Sequence, residues 1–113
     1  MKLAISSSEK NLDSQIDLRF GRAKGFIIYD LENDYFEFID NVQNLEATQG
    51  AGIQAATGVV NEKVEVVLSP SLGPKATDVL KSAGVKSYLI VEKGIPLIEV
   101  LKSYKDGKLK SIY

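Results

Sequence analysis

The chain has 113 residues, of which 44% are hydrophobic and 26% charged, and its formal net charge is −1. This composition is typical of a globular protein with one core, so we expect a single domain over residues 1–113. The near-zero charge argues against nucleic acid or an anionic membrane as a partner. No apolar run has the length needed to span a bilayer, and the predicted location is cytoplasmic.

The sequence contains no cysteine, histidine or tryptophan. This absence excludes disulfides, thiol nucleophiles, histidine general bases and zinc sites built from cysteine and histidine. Met1 is a poor soft-metal ligand at a chain end. Metals with oxygen ligands remain possible through aspartate, glutamate and carbonyl groups. We predict no catalytic residue and no metal-ligating residue, and we expect that the protein is not an enzyme.

Five segments have the composition of β-strands. KLAIS is short and apolar, YFEFID alternates as a strand with one buried face, and VEVVLS is typical of a strand covered on both faces. The predicted strands are 2–6, 26–32, 35–40, 64–69 and 86–92. The last residues, KLKSIY, leave open a short edge strand or a frayed end.

Three segments with helical spacing lie between and after the later strands. Pro74 and Pro96 suit the first turn of a helix, while Gly84 and Gly107 suit the position just after a helix end. Residues 48–49 are candidate caps for the first helix. The predicted helices are 49–61, 74–83 and 96–104.

The predicted element order is β-β-β-α-β-α-β-α. The first three strands should form an antiparallel meander, and the later βαβ units should cross over right-handed and pair in parallel. We expect an α/β fold of three layers, in which one mixed five-stranded sheet carries helices on both faces.

This topology brings several loops to one edge of the sheet. Helix N-termini present unpaired N–H groups and partial positive charge there, and open sheets bind ligands beyond the carboxyl ends of their strands. Together with the basic residues, these features predict an anion-binding edge. The residues collected at this edge are Ser6, Ser7, Ser8, Arg19, Arg22, Lys24, Gly50, Gly52, Ser69, Ser71 and Gly73.

Each of these elements also has a purely structural interpretation, which the sequence leaves open. Gly21 and Gly25 could serve only to allow a turn. Arg22 could pair with Asp17 or Asp40. The glycines of GAGIQAATG could let a helix pack closely on the sheet, and this segment lacks the GxGxxG spacing of a dinucleotide site.

Three motifs, FGRAKGFIIYD, GAGIQAA and GPKATDVLKSAGVKSY, resemble the signatures of the dinitrogenase iron–molybdenum cofactor biosynthesis domain family. The similarity covers about residues 2–104, and it implies a ribonuclease H-like fold. The residues that match the family motifs are Phe20, Gly21, Arg22, Ala23, Gly50, Ala51, Gly52, Ile53, Gly73 and Pro74.

The resemblance implies binding and transfer of an anionic metal cluster or its precursor. The leading hypothesis is a non-catalytic carrier or chaperone for an anionic small ligand, such as an iron–sulfur or iron–molybdenum cluster precursor. The alternatives are a regulatory or assembly module that acts through protein–protein contacts, and a ribonuclease H-like nuclease. The nuclease is disfavoured because the first strand has no aspartate for a two-metal site.

We expect no tightly bound cofactor, only a transient iron–sulfur or iron–molybdenum cluster. The implied partners are the anionic ligand or cluster and a cluster-assembly or acceptor protein. Many family members have histidine where this chain has Arg19, and cluster-handling members often offer cysteine or histidine ligands. An anionic cluster would therefore be held here electrostatically. The candidate ligand-binding residues are Ser7, Arg19, Phe20, Gly21, Arg22, Gly50, Gly52, Ser71 and Gly73.

Overall fold

A computed structural model of the chain describes residues 1–41, 50–91 and 95–112. Within these ranges six strands form one mixed sheet, and three helices accompany it. The strands are β1 (Lys2–Ser7), β2 (Gly25–Asp30), β3 (Tyr35–Asp40), β4 (Val66–Ser69), β5 (Lys86–Leu89) and β6 (Lys110–Ser111). The helices are α1 (Ala51–Asn61), α2 (Pro74–Ser82) and α3 (Leu97–Lys105).

The strand order in the sheet is β3-β2-β1-β4-β5-β6. β1 pairs antiparallel with β2, and β2 pairs antiparallel with β3, which confirms the predicted meander. β4 pairs parallel with β1 and β5 pairs parallel with β4, as the βαβ units require. In this register Ile5 lies between Ile27 and Leu68. The α/β class is confirmed, whereas the ribonuclease H-like assignment stays a prediction.

The expected number of strands was wrong, because the described part of the sheet contains six strands and not five. The additional strand, β6, pairs antiparallel with β5 through Leu89 and Lys110, and the Ile112 N–H donates to the Ser87 carbonyl at 2.7 Å. A two-residue polar strand has no periodic pattern to reveal it. It forms because the outer edge of β5 offers unpaired backbone groups.

The helices cover both faces of the sheet, as predicted, and side-chain alternation along β1 shows why. Ala4 points to the face that carries α1 and α2, where Val59 and Leu80 are buried. Leu3 and Ile5 point to the opposite face, where they pack with buried residues of α3. Neither α1 nor α2 nor α3 is long and apolar enough to cross a membrane.

Element boundaries differ from the prediction where side chains or turns intervene. β2 ends at Asp30 because the Asp30 carboxylate accepts the backbone N–H groups of Glu32 and Asn33 and so begins a turn. A further hydrogen bond from the Asn33 side chain is the main cause that lowers the pKa of Asp30. The predicted cap residues 48–49 lie outside the described residues, as does the end of the predicted strand at residue 92.

The three helices end in the same way but with different residues. The residue after the C-cap has positive φ in each case, and it is Gly84 for α2 and Gly107 for α3, but Lys63 for α1. Left-handed backbone costs a residue with a side chain roughly 1–2 kcal/mol, whereas glycine adopts it freely. The Lys63 φ of 62° therefore stores strain that α2 and α3 avoid.

We expect Lys63→Gly to raise the free energy of unfolding by about 0.5–1 kcal/mol, since relief of strain outweighs the added chain entropy of glycine. Gly84→Ala should lower it by about 1 kcal/mol through strain alone, because a methyl group there would meet no atom within 4 Å. Urea denaturation measures both values. A stability loss in Lys63→Gly would contradict this account.

Candidate anion-binding site

A cavity of about 600 Å³ opens beyond the ends of β1 and β4, between the N-termini of α1 and α2. All three sequence motifs contribute to its walls, although they are far apart along the chain. The lining residues are Arg19, Phe20, Gly21, Arg22, Gly50, Ala51, Gly52, Ile53, Ser71, Gly73, Pro74, Lys75 and Ala76. The structure thus brings together every predicted site residue except Ser7.

The cavity walls are strongly biased towards positive charge. Three cationic side chains, Arg19, Arg22 and Lys75, line it, and none of its described lining residues is acidic. Lys75 was missed by the sequence analysis, although its place directly after the helix-starting Pro74 could have identified it. Cations grouped around a concave surface focus the field and favour an anion.

Two helix N-termini add to this positive potential. Within the described residues no side chain caps α1 or α2, and neither helix has an acidic residue in its first turn. The first intrahelical bond of α1 comes from the Gln54 N–H to the Gly50 carbonyl, and that of α2 from Thr77 to Gly73. Earlier N–H groups have no acceptor within their helix, so both helix dipoles favour negative charge in the cavity.

A buried carboxylate, Asp17, holds the loop that carries the two arginines. One of its oxygens accepts the Arg19 backbone N–H at 3.0 Å and the Arg19 Nε–H at 3.3 Å. The other oxygen accepts the Lys24 backbone N–H at 3.3 Å. The sequence left open a pairing of Asp17 with Arg22, whereas the structure places the Asp17 carboxylate against Arg19 and the backbone N–H of Lys24.

Asn41 also holds this loop, and sequence reasoning missed it. Its side-chain amide donates to the carbonyl oxygens of Gly21 at 3.0 Å and Ala23 at 2.9 Å, and its backbone N–H donates to the Lys24 carbonyl. Asn41 is 3% exposed, so these bonds are shielded from water. No pattern in the sequence indicates this role, because the partners lie 18 and 20 residues away.

Phe20 anchors the loop in the core. It is 3% exposed and packs against Phe26, with the two ring centroids 5.1 Å apart. Its neighbours in the core include Ala55 and Ala76, from the two helices that flank the cavity. Phe20 thus forms part of the cavity wall, while most of its side chain packs against other core residues.

Gly21 lies against the first turn of α1. A methyl group at Gly21 would come within 2.8 Å of the Gly52 nitrogen and 2.9 Å of its Cα. These are backbone atoms and have little freedom to move away. The absence of a side chain at Gly21 therefore allows the loop to meet the helix, which is a more specific role than allowing a turn.

The loop before α2 is tied to the arginine loop. The Ser71 hydroxyl donates to the Leu18 carbonyl at 3.2 Å, and the Ser69 hydroxyl donates to the Ser71 carbonyl at 2.7 Å. Ser71 therefore lines the cavity, but its hydroxyl already donates its hydrogen bond to the Leu18 carbonyl. The contribution of Ser71 to an anion site is therefore mainly to hold the wall.

Several parts of the predicted edge do not line the cavity: Ser6, Ser7, Ser8, Lys24, Ser69 and the N-terminus of α3. The segment between β1 and Asp17 folds back over the end of the sheet. Ser7 is fully buried, pairs with Ile16, and its hydroxyl bonds with the backbone of Glu9. The N-terminus of α3 lies on the other face, where its Leu97 and Ile98 N–H groups donate to carbonyl groups of the same segment. This helix terminus is thus closed by backbone acceptors.

The described residues contain no group of three or more acidic side chains placed to hold a metal ion. Cysteine and histidine are absent from the whole sequence. A metal-containing ligand at this cavity would therefore contact arginine, lysine and backbone N–H groups. These are donors to an anion and not ligands of a metal.

Comparison with known sequences identifies the class of protein to which this arrangement belongs. The pattern of the dinitrogenase iron–molybdenum cofactor family matches residues 1–107. The chain belongs to this family, as the motif resemblance predicted. An uncharacterized protein of Methanocaldococcus jannaschii is 28% identical over 112 residues, which cover 97% of this chain and 90% of the relative.

Two solved structures are similar over nearly their whole lengths. The apo form of the orange protein from Desulfovibrio gigas is 31% identical, with a TM-score of 0.93 over 97% of this chain and 91% of that one. An NMR structure of a putative NifB protein from Thermotoga is 33% identical, with a TM-score of 0.84 over 98% of this chain and 92% of that one. The fold is therefore shared with both of these proteins.

We expect Gly21→Ala to lower the free energy of unfolding by about 1–3 kcal/mol, because the new methyl group overlaps the α1 backbone. Gly73→Ala is the matched control: Gly73 has a φ of −72°, and a methyl group there meets no atom within 4 Å. Urea denaturation should separate the two variants clearly. Equal stability of both would mean that the loop and α1 are not in close contact.

Proposed function

We propose that this protein is a non-catalytic carrier or chaperone for an anionic small ligand, such as an iron–sulfur or iron–molybdenum cluster precursor. The observation that carries the proposal is the cavity itself, where three cationic side chains and two uncapped helix N-termini converge among described lining residues that include no acid. Membership of the dinitrogenase iron–molybdenum cofactor family supports the class of ligand. The proposed location is cytoplasmic.

The chemistry of the walls supports reversible binding. An arginine guanidinium offers several donors in one rigid plane, which suits an oxyanion or a sulfide-rich cluster. Charge-assisted hydrogen bonds contribute roughly 1.5–3 kcal/mol each, and they break without the rupture of a coordinate bond. A ligand held in this way can pass to an acceptor protein, which is the partner that the proposal requires.

The second candidate, an assembly module acting through protein contacts, is favoured by exposed apolar side chains in two of the segments that carry the cavity. Leu18 precedes Arg19 and is 49% exposed, and Ile53 lies in the first turn of α1 and is 38% exposed. These side chains would suit a protein surface, which a carrier also needs for delivery. The nuclease alternative is not proposed, because β1, KLAISS, brings no carboxylate to the sheet.

We expect Arg22→Ala to weaken binding of molybdate, phosphate or a chemically prepared anionic cluster about tenfold or more, the loss expected for one charge-assisted hydrogen bond. Arg22→Lys should recover only part of this loss, because an ammonium group cannot donate as a planar fork. Calorimetry measures the affinities, and circular dichroism monitors the fold.

Lys24→Ala is the matched control for Arg22→Ala. It removes one positive charge from the same loop, but the Lys24 side chain does not line the cavity. Its effect should be small and should vanish at high salt. If Arg22→Ala binds every anion as the wild type does, the cavity is not an anion site and the assembly module becomes the better proposal.

Protein purified without oxygen should contain no stoichiometric zinc or iron held by side chains. The reason is chemical: the sequence has no cysteine or histidine, and carboxylates bind soft metals poorly. Elemental analysis after gel filtration gives the metal content per chain. One retained iron or zinc ion per chain would show that carboxylates, or a ligand from outside the protein, supply the missing donors.

A further inference from the structure

We infer that Asp17 is a positioning residue of the proposed site, which fixes the Arg19 guanidinium so that its terminal amino groups face the bound anion. The inference rests on the proposed anion binding. It makes the geometry of Arg19, and not only the charge of the loop, part of ligand selection. Asp17 itself lies behind the cavity wall and does not line it.

The environment of Asp17 supports a positioning role. The residue is 8% exposed, whereas the Arg19 side chain is 59% exposed. Asp17 is fixed to the end of β1 in two ways: its N–H donates to the Ser6 carbonyl at 3.1 Å, and its carbonyl accepts the Ser6 hydroxyl at 2.8 Å. The carboxylate is therefore a rigid acceptor whose place is set by the sheet.

The hydrogen bonds of this carboxylate define how Arg19 is held. A single oxygen accepts both the backbone N–H and the Nε–H of Arg19. The guanidinium group is thus bound through Nε, the nitrogen that joins it to the aliphatic part of the side chain. The two terminal nitrogens lie in the same plane, beyond the central guanidinium carbon, and carry four of the five N–H donors. Arg19 lines the cavity and its side chain is 59% exposed, so these donors can reach a ligand there.

Simple electrostatics and positioning make opposite predictions for Asp17→Asn. The substitution removes a negative charge next to a cationic cavity and changes the formal net charge of the chain from −1 to 0. Coulombic attraction alone would then make anion binding tighter. If Asp17 positions Arg19, binding becomes weaker, because asparagine has only one acceptor oxygen and it is neutral. With that oxygen against Arg19, the NH2 group faces the Lys24 N–H and the two donors repel; with the amide turned round, both Arg19 contacts are lost.

The test measures molybdate affinity by calorimetry for the wild type, Asp17→Asn, Arg19→Ala and the double variant. We expect each single variant to bind about tenfold more weakly and the double variant to be no weaker than Arg19→Ala, since both changes remove the same donor array. Asp13→Asn is the matched control. It removes an exposed carboxylate from the same segment, and its affinity should equal that of the wild type or slightly exceed it.

Three outcomes would overturn the inference: tighter binding in Asp17→Asn, an additive loss in the double variant, or unchanged binding in Arg19→Ala. If any one of these outcomes occurs while Arg22→Ala still loses affinity, the proposed anion site stands and only the role of Asp17 is wrong. If the wild type binds neither molybdate nor phosphate, the proposed function itself fails.

A measurement on the wild type decides the question even if Asp17→Asn does not fold. In nitrogen-15 spectra, the Nε–H resonance of Arg19 should stay at its hydrogen-bonded position when molybdate saturates the protein, because the terminal amino groups make the new contacts. Movement of this resonance towards the position of a solvent-exposed arginine would show that the ligand breaks the contact with Asp17, and that result would overturn the inference.

Discussion

The close approach between the backbones of Gly21 and Gly52 is the constraint on which the cavity depends. A methyl group at Gly21 would be 2.8 Å from the Gly52 nitrogen, so the arginine loop and α1 meet without any side chain between them. This contact brings Arg19 and Arg22 beside a helix N-terminus. Because the contact is made by backbone atoms, it fixes positions more firmly than flexible side chains would.

The buried polar side chains near the cavity are used to shape its walls. Asp17 and Asn41 hold the arginine loop, Ser6 holds Asp17, and Ser69 holds the loop before α2. Each of these residues is buried and bonds to backbone atoms. The conformational entropy of such a wall is lost during folding and not during binding, so a ligand meets donors that are already in place.

The N-termini of the three helices differ in how their backbone N–H groups are satisfied. The α3 terminus is closed by backbone carbonyl groups on the other face of the sheet. The α1 and α2 termini open into the cavity, and among the described residues no side chain caps them. Open helix termini are costly unless water or a ligand satisfies their N–H groups. An anion in the cavity would meet this need and, without coordinate bonds to the protein, could also leave.

The sequence by itself determined the element types, the meander and the parallel crossovers, because hydrophobic periodicity and the turn-forming residues proline and glycine act locally. It also determined that the three motifs meet, because the carboxyl ends of parallel strands lie at one edge of the sheet. Only the tertiary structure decided the pairing of β6, the exclusion of Ser7 and α3 from the cavity, and the roles of Asp17 and Asn41. These features depend on which backbone groups remain unpaired once the sheet has formed. The groups that pair in these features are far apart along the chain, as Asn41 is from Gly21 and Ala23. A local pattern of residues therefore cannot predict that they meet.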